Sequence, residues 1–277
     1  MLDEALQKEL IKTGRAFTRG YTDDDPYMND FESDQELRKP QPPLVKPPMA
    51  EKKIELTRDF SKLELKQDLI GLIRDRRSAR VYTGEKMTME QLSFLLWATQ
   101  GIKDIRGKAY ATLRTVPCGG ARHEFETYLL INKVDGLEPG AYHYLPMEHA
   151  LEFLHPVNDM NDAITRSLVG QKWAEKANAV FFWTMVPYRA EWRYGIYAHR
   201  VAMIDIGHVG QNLYLACTGA GLGTCAIGAF SHEFCNELFG LDGEEEYVVY
   251  TAPVGTVRES DRSAEQAFYS FVEEEGL

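Results

Sequence analysis

Arg76-Arg77-Ser78-Ala79-Arg80 sets three guanidinium groups and a hydroxyl within five residues. The arginine fork keeps its charge and matches phosphate oxygens in pairs. In an extended segment Arg76, Ser78 and Arg80 fall on one side, a plausible socket for a single phosphate group. The alternative is a solvated turn following a helix. The chain carries a formal net charge of −11 over 277 residues, so this knot of Arg is not part of a general basic surface.

Two runs of small residues accompany the cluster: Pro117-Cys118-Gly119-Gly120-Ala121, and Gly221 to Ala229, which contains Ile227 and Gly228. Glycine lets backbone approach a flat ligand closely. Taken singly, each run reads equally as a helix C-cap or a tight turn. Gly221-x-Gly223-x-x-Ala226 has the letters of a dinucleotide fingerprint, but a helix precedes it and a strand follows, the reverse of what that motif needs. No P-loop sequence is present. Two small-residue loops with a phosphate socket together suggest a planar phosphorylated cofactor, and flavin mononucleotide (FMN) fits.

Other chemistry is set aside. The histidines at 143, 149 and 155 fall on separate strand or turn elements, and His199 and His208 fall on opposite sides of one helix; no metal site is expected. The four cysteines form no C-x-x-C pair, and Cys118 has no visible resolving partner. The runs Glu244-Glu245-Glu246 and Glu273-Glu274-Glu275 read as solvated charge. An acidic chain lacks the basic surface that nucleic acid or an anionic membrane requires. No apolar run approaches the roughly 20 residues of a membrane span, and the N-terminus lacks a secretion signal, so a reducing cytoplasm is expected.

These residues need elements to hold them. Residues 39–49 hold five of the twelve prolines, and such a run favours an extended arm. Residues 1–55, with Asp23-Asp24-Asp25, Asp30 and Asp34, are therefore read as an extended N-terminal arm wrapping the domain or a partner. The competing reading is a free tail or a Pro40-x-x-Pro43 ligand. Residues 56–277 form the globular domain. Leu63, Leu65, Leu69, Ile70 and Ile73 predict an amphipathic helix running into the Arg cluster, and Thr88-x-x-Gln91 a capping box opening the next helix. Strands are expected at Thr127–Val134, Ala141–Leu145 and Leu151–Leu154, as a meander, then at Ala179–Val186, Thr224–Phe230 and Tyr247–Val254. Helices are expected at Tyr197–Ala220 and around His232–Phe239. Without steady βαβ alternation the pattern argues for an α+β sheet of mixed direction. The aromatic stretch Phe181-Phe182-Trp183 through Tyr188, Trp192, Tyr194 and Tyr197 is either a stacking lid or core packing.

Taken together, these residues resemble the FMN-dependent nitroreductase family, and more closely its SagB-type branch, from about residue 60 to about 257. Arg76-Arg77-Ser78-x-Arg80 resembles the family's opening phosphate and ribityl contact. Arg114-Thr115-Val116-Pro117-Cys118-Gly119-Gly120-Ala121 resembles the branch's segment against the flavin ring, with Cys118 and Gly119 where Ser and Ala are usual. Asp205-Ile-Gly207-His208 through Leu213, then Gly221-Leu-Gly223 and Ile227-Gly228-Ala229-Phe230, is the most specific match. The branch's catalytic Lys-Tyr pair has no placed counterpart, which favours a stand-alone reductase.

The resemblance implies a mainly antiparallel sheet flanked by helices, in a homodimer with FMN at the interface. It also implies a hydride passed from NAD(P)H through flavin N5 to nitroaromatics, quinones or similar acceptors in a ping-pong cycle. Arg76, Arg77, Ser78, Arg80, Pro117, Cys118, Gly119, Gly120, Ala121, Ile227, Gly228 and Ala229 would bind the cofactor, with Arg258 or Arg262 as a late phosphate contact. No side chain is assigned to catalysis; the backbone near Gly228 would face N5. Alternatives are a specialised dehydrogenase or oxidase of a metabolite or peptide, or a flavin-binding protein without turnover.

Overall fold

The computed structural model describes residues 3–20, 31–258, 260, 262–267, 269, 270 and 274. Asp23, Asp24, Asp25 and Asp30 of the arm lie outside these residues. Helix α1 (Glu4–Thr18) departs from the extended form expected of the whole arm. Leu6, Leu10 and Phe17 share a helical stripe in it, yet no residue of the helix is buried. The proline run is extended as expected, crosses the domain, and ends in strand β1 (Lys53–Glu55).

Helix α2 (Leu69–Asp75) begins six residues later than the apolar pattern from Leu63 suggests, because Asp68 caps it by accepting from Gly71 N at 3.0 Å. Its Leu69, Ile70 and Ile73 are exposed rather than packed. Helix α3 (Met89–Gln100) opens on the Thr88/Gln91 capping box, with both reciprocal bonds made. A two-stranded ribbon follows, β2 (Ile102–Arg106) with β3 (Ala111–Arg114).

Strands β4 (Phe125–Ile131), β5 (Gly140–Leu145) and β6 (Ala150–Pro156) form the expected meander. Helix α4 (Met160–Ser167), capped by Asp159, leads to β7 (Ala179–Met185). Helix α5 (Pro187–Tyr194) starts on a proline, which lacks the N–H a first turn cannot use. Helix α6 (Ala198–Gly219) is the long central helix. The strand expected at Thr224–Phe230 is instead the short β8 (Leu222–Thr224). Beyond it only Ile227 pairs with the sheet, exchanging bonds of 2.7 and 3.1 Å with Thr251. Helix α7 (His232–Phe239), capped by Ser231, ends at Gly240 with φ +67°. Strand β9 (Tyr247–Thr256) and helix α8 (Arg262–Ala267) complete the described elements.

The seven-stranded sheet has the order β1-β6-β5-β4-β7-β9-β8, with antiparallel neighbours throughout. Ser78 adds a parallel bridge at Thr224, so the sheet is mixed and mainly antiparallel. Every residue of β4 and β7 is buried, because both faces are covered. Phe125, Leu129, Phe181 and Trp183 pack with Leu92, Leu95 and Leu96 of α3 and Val209 and Leu213 of α6. The alternate residues Tyr128, Leu130, Val180 and Phe182 pack with Ile164 of α4 and Phe239 of α7. This period-two division of one apolar run between two cores produces an α/β/α sandwich.

Candidate functional site

The Arg cluster leaves α2 as extended chain and lies along β8: Ala79 N donates to Thr224 O at 2.9 Å. Its alternate residues share a side. Ser78 Oγ lies 3.0 Å from the Tyr214 hydroxyl on α6, and the Arg76 guanidinium sits 5.3 Å from the centroid of the same ring. The Tyr214 hydroxyl also accepts from Ala226 N at 2.9 Å, tying the cluster to the second glycine run. Gly223 is where the two segments touch: a Cβ there would lie 2.6 Å from that of Ala79. Arg77 lines a small cleft of about 150 Å³ together with Asp75, Tyr214, Thr218 and Gly221. Past this junction Gly228 and Ala229 are exposed, and a Cβ on Gly228 would meet nothing within 4 Å.

Arg80 is differently engaged. Its Nη1 donates to the Tyr269 hydroxyl at 2.7 Å, while Arg80 N and Val81 N both donate to Glu265 Oε1 of α8 at 2.5 Å. Arg258 forms an exposed ion pair with Glu85. The side chain of Arg262 lies outside what is described.

The Pro117–Ala121 loop is held at another place. Gly119 N donates to Asp205 Oδ2 of α6 at 2.8 Å, and a Cβ on Gly120 (φ +55°) would meet the Arg193 side chain at 2.6 Å and the Tyr194 hydroxyl at 2.8 Å. Asp205 and Tyr214 are nine residues apart on α6, about 14 Å along the axis and half a turn around it. One chain therefore holds the two small-residue loops on opposite faces of the same helix, and does not bring them together.

Cys118 Sγ accepts from His123 N at 3.0 Å and lies 3.3 Å from Glu124 Oε2. Burial, with the Glu124 and Asp205 carboxylates beside it, pushes the thiol far above its ordinary value, so it is a poor nucleophile. Burial also raises Glu124 to about 7, and lowers His123 to about 2 with Arg114 adding to the effect. Arg114 is buried and structural, bonded to Gln100, Thr112 and the Leu44 carbonyl.

The aromatic stretch divides between surface and core: Tyr188 is exposed and Tyr194 and Tyr197 are half-buried, whereas the rest is packed. Phe181, Phe182 and Trp183 are core residues of β7, and Trp192 is 5% exposed. Its indole N–H donates to Lys39 O at 3.1 Å, and Arg122 stacks 5.1 Å from its ring. The arm covers it: Gln35 N donates to Trp192 O, and Tyr188 donates to Asp34.

Sequence reasoning also missed a buried ionic row beneath the arm. Glu126, His143 and Glu152 stand side by side on β4, β5 and β6, with His143 Nδ1 2.6 Å from Glu152 and Nε2 3.4 Å from Glu126. Arg189 of α5 pairs with Glu126 at 2.5 Å, and Lys46 of the arm pairs with Glu246 at 2.5 Å. The backbone amides of Lys46, Met49 and Ala50 donate to these same carboxylates, Glu126 and Glu152. His143 is raised: burial opposes its charge, but hydrogen bonds to Glu126 and Glu152 outweigh it. Three polar residues on three neighbouring strands were the available signal.

The profile of the nitroreductase family matches residues 73–256. MJ1384 of Methanocaldococcus jannaschii, described as a nitroreductase, is 32% identical over 197 residues, covering 71% of this chain and 93% of its own. The trifolitoxin-processing protein TfxB of Rhizobium leguminosarum bv. trifolii is 27% identical over 163 residues, 57% of this chain and 39% of its own. A solved structure from Anabaena variabilis, also described as a nitroreductase, is 29% identical with a TM-score of 0.56, covering 69% of this chain and 38% of that one. This chain thus spans nearly all of the first relative and well under half of the other two.

Proposed function

The chain belongs to the nitroreductase family, and from that premise we propose that it is an FMN-dependent NAD(P)H oxidoreductase working as a homodimer. The observation that carries the reading is the convergence of Arg76, Ser78, Tyr214 and the Thr224–Ala226 backbone at the edge of the sheet. The donor set suits a phosphorylated ligand: guanidiniums and hydroxyls stand at one end, and open backbone at Gly228–Ala229 at the other. Arg76 and Arg80 would neutralise the phosphate, Ser78 would bond to ribityl or phosphate oxygens, and backbone at Ile227–Ala229 would lie along the ring. Arg80 reaches that role only by exchanging Tyr269 for phosphate. When bound there, FMN would supply hydride-transfer chemistry between NAD(P)H and a nitroaromatic, quinone or similar acceptor.

The separation of the two small-residue loops across α6 supports the dimer. A flavin seated against Ile227–Ala229 would meet Pro117, Cys118, Gly119, Gly120 and Ala121 only if that loop came from a second copy. Leu69, Ile70 and Ile73 of α2, with Met203 and Ile204 of α6, are 43–76% exposed and offer apolar surface for such a contact. Residues 1–55 would then serve as an arm and 56–277 as the cofactor domain.

Freshly purified protein should be yellow, and NADH or NADPH should bleach it anaerobically. Arg76→Ala with Arg80→Ala should purify without flavin, since each lost Arg–phosphate contact costs on the order of 2–5 kcal/mol. Wild-type protein that neither carries nor takes up FMN would sink the proposal. The likeness to TfxB favours a second reading, a SagB-type flavin-dependent dehydrogenase of a peptide or metabolite. Flavin that neither nicotinamide bleaches would favour it.

A further inference from the structure

Cys118, Glu124 and Asp205 each offer one ligand atom, and these three atoms lie within 4.8 Å of one another. They come from different parts of the fold: the loop and chain leading into β4, and the middle of α6. Glu124 is 1% exposed, and its Oε1 is a buried acceptor with no hydrogen-bond partner. Asp205 is 5% exposed; Gly119 N occupies its Oδ2, while its Oδ1 lies 3.7 Å from His208 Nδ1. The amide of His123 points at Cys118 Sγ, an arrangement that suits a thiolate. Arg114 also faces this region, but its guanidinium is spent on Gln100, Thr112 and Leu44 O. Two carboxylates and a thiol are thus gathered where, among the described residues, no Lys or Arg pairs with them and His208 approaches only the Oδ1 of Asp205.

We propose that Cys118, Glu124 and Asp205 form a site for one divalent cation of the zinc type. The donor set decides the class: a soft sulfur with two carboxylate oxygens suits zinc or cobalt, whereas magnesium and calcium take oxygen alone. Bonds of about 2.3 Å to sulfur and about 2.0–2.2 Å to oxygen place tetrahedral ligand atoms roughly 3.5 Å apart, so the trio needs to contract by about an ångström. The Cys118 Sγ–Glu124 Oε2 separation of 3.3 Å is already there. On binding, the Cys118 proton leaves to solvent and the sulfur–metal bond replaces it. Three protein ligands leave one coordination position open. The cation would fix the Pro117–Ala121 loop to α6, whether or not a flavin is bound.

The test uses the full chain, stripped with a chelator and titrated with cobalt(II). The expected result is a thiolate-to-cobalt charge-transfer band in the difference spectrum, saturating at one ion per chain. Cys118→Ser should abolish the band, and Glu124→Gln should weaken binding at least tenfold. In wild-type protein, saturating zinc should also slow alkylation of Cys118 at least tenfold, mapped by mass spectrometry, a readout that needs no variant to fold. No thiolate band with wild-type protein, a band that survives Cys118→Ser, or an alkylation rate indifferent to zinc would each overturn the assignment.

Discussion

At Gly223 a single hydrogen separates the Arg-bearing segment from the sheet edge. A methyl group there would sit 2.5 Å from Cγ1 of Val257 and 2.6 Å from Cβ of Ala79. Gly223→Ala should therefore push residues 78–80 off β8, at a cost of about 1–3 kcal/mol. Thermal unfolding would show it as a lowered midpoint; an unchanged midpoint would mean the segment is looser than described. The meeting of Arg76 and Ser78 was legible, because strand alternation is a local rule. Their partner was not: Tyr214 lies 136 residues beyond Ser78, and only packing of α6 on the sheet brings it there. The carboxylates around Cys118 were hidden for the same reason, since Asp205 reaches that loop from the middle of a distant helix.

Among the elements, β4, β5 and β6 carry a device whose strength depends on pH. Folding places His143 between Glu126 and Glu152 and raises its pKa. Its charged form is thus favoured by folding, so this contribution is complete below the unfolded value of about 6.5. It fades as pH climbs through the raised folded value. Unfolding midpoints measured from about pH 6 upward should fall more steeply for wild type than for Glu152→Gln; parallel curves would exclude the device. The strands themselves were readable as apolar runs bounded by turns, and so were the capped helix α3 and the long helix α6. Polar residues on alternating strand positions ordinarily face water, so nothing local told that Lys46, Met49 and Ala50 would cover these. Helix α2 misled in the opposite sense, because an apolar stripe shows which face is greasy and not whether anything packs on it.

For the whole molecule, the arm divides into a part that the fold can lose and a part that it needs. No residue of α1 is buried, so removing residues through Gly20 should leave the unfolding midpoint within a degree or so. Removing residues through Ala50 would strip Lys46 from Glu246 and three amides from Glu126 and Glu152. Breaking one buried ion pair costs about 3–5 kcal/mol, enough to threaten a domain of ordinary stability. Equal midpoints for the two truncations, read by calorimetry, would show that the arm is only laid on the surface. The proline run announced an extended segment; which surface it crosses depends on a charge row assembled from three strands.

The grip of Glu265 on the amides of Arg80 and Val81 also sets a clock. Those two hydrogens cannot trade with heavy water until α8 lifts away. Deuterium uptake at residues 80 and 81 therefore times how often the door beside the Arg cluster swings open, and Glu265→Gln should make it swing faster.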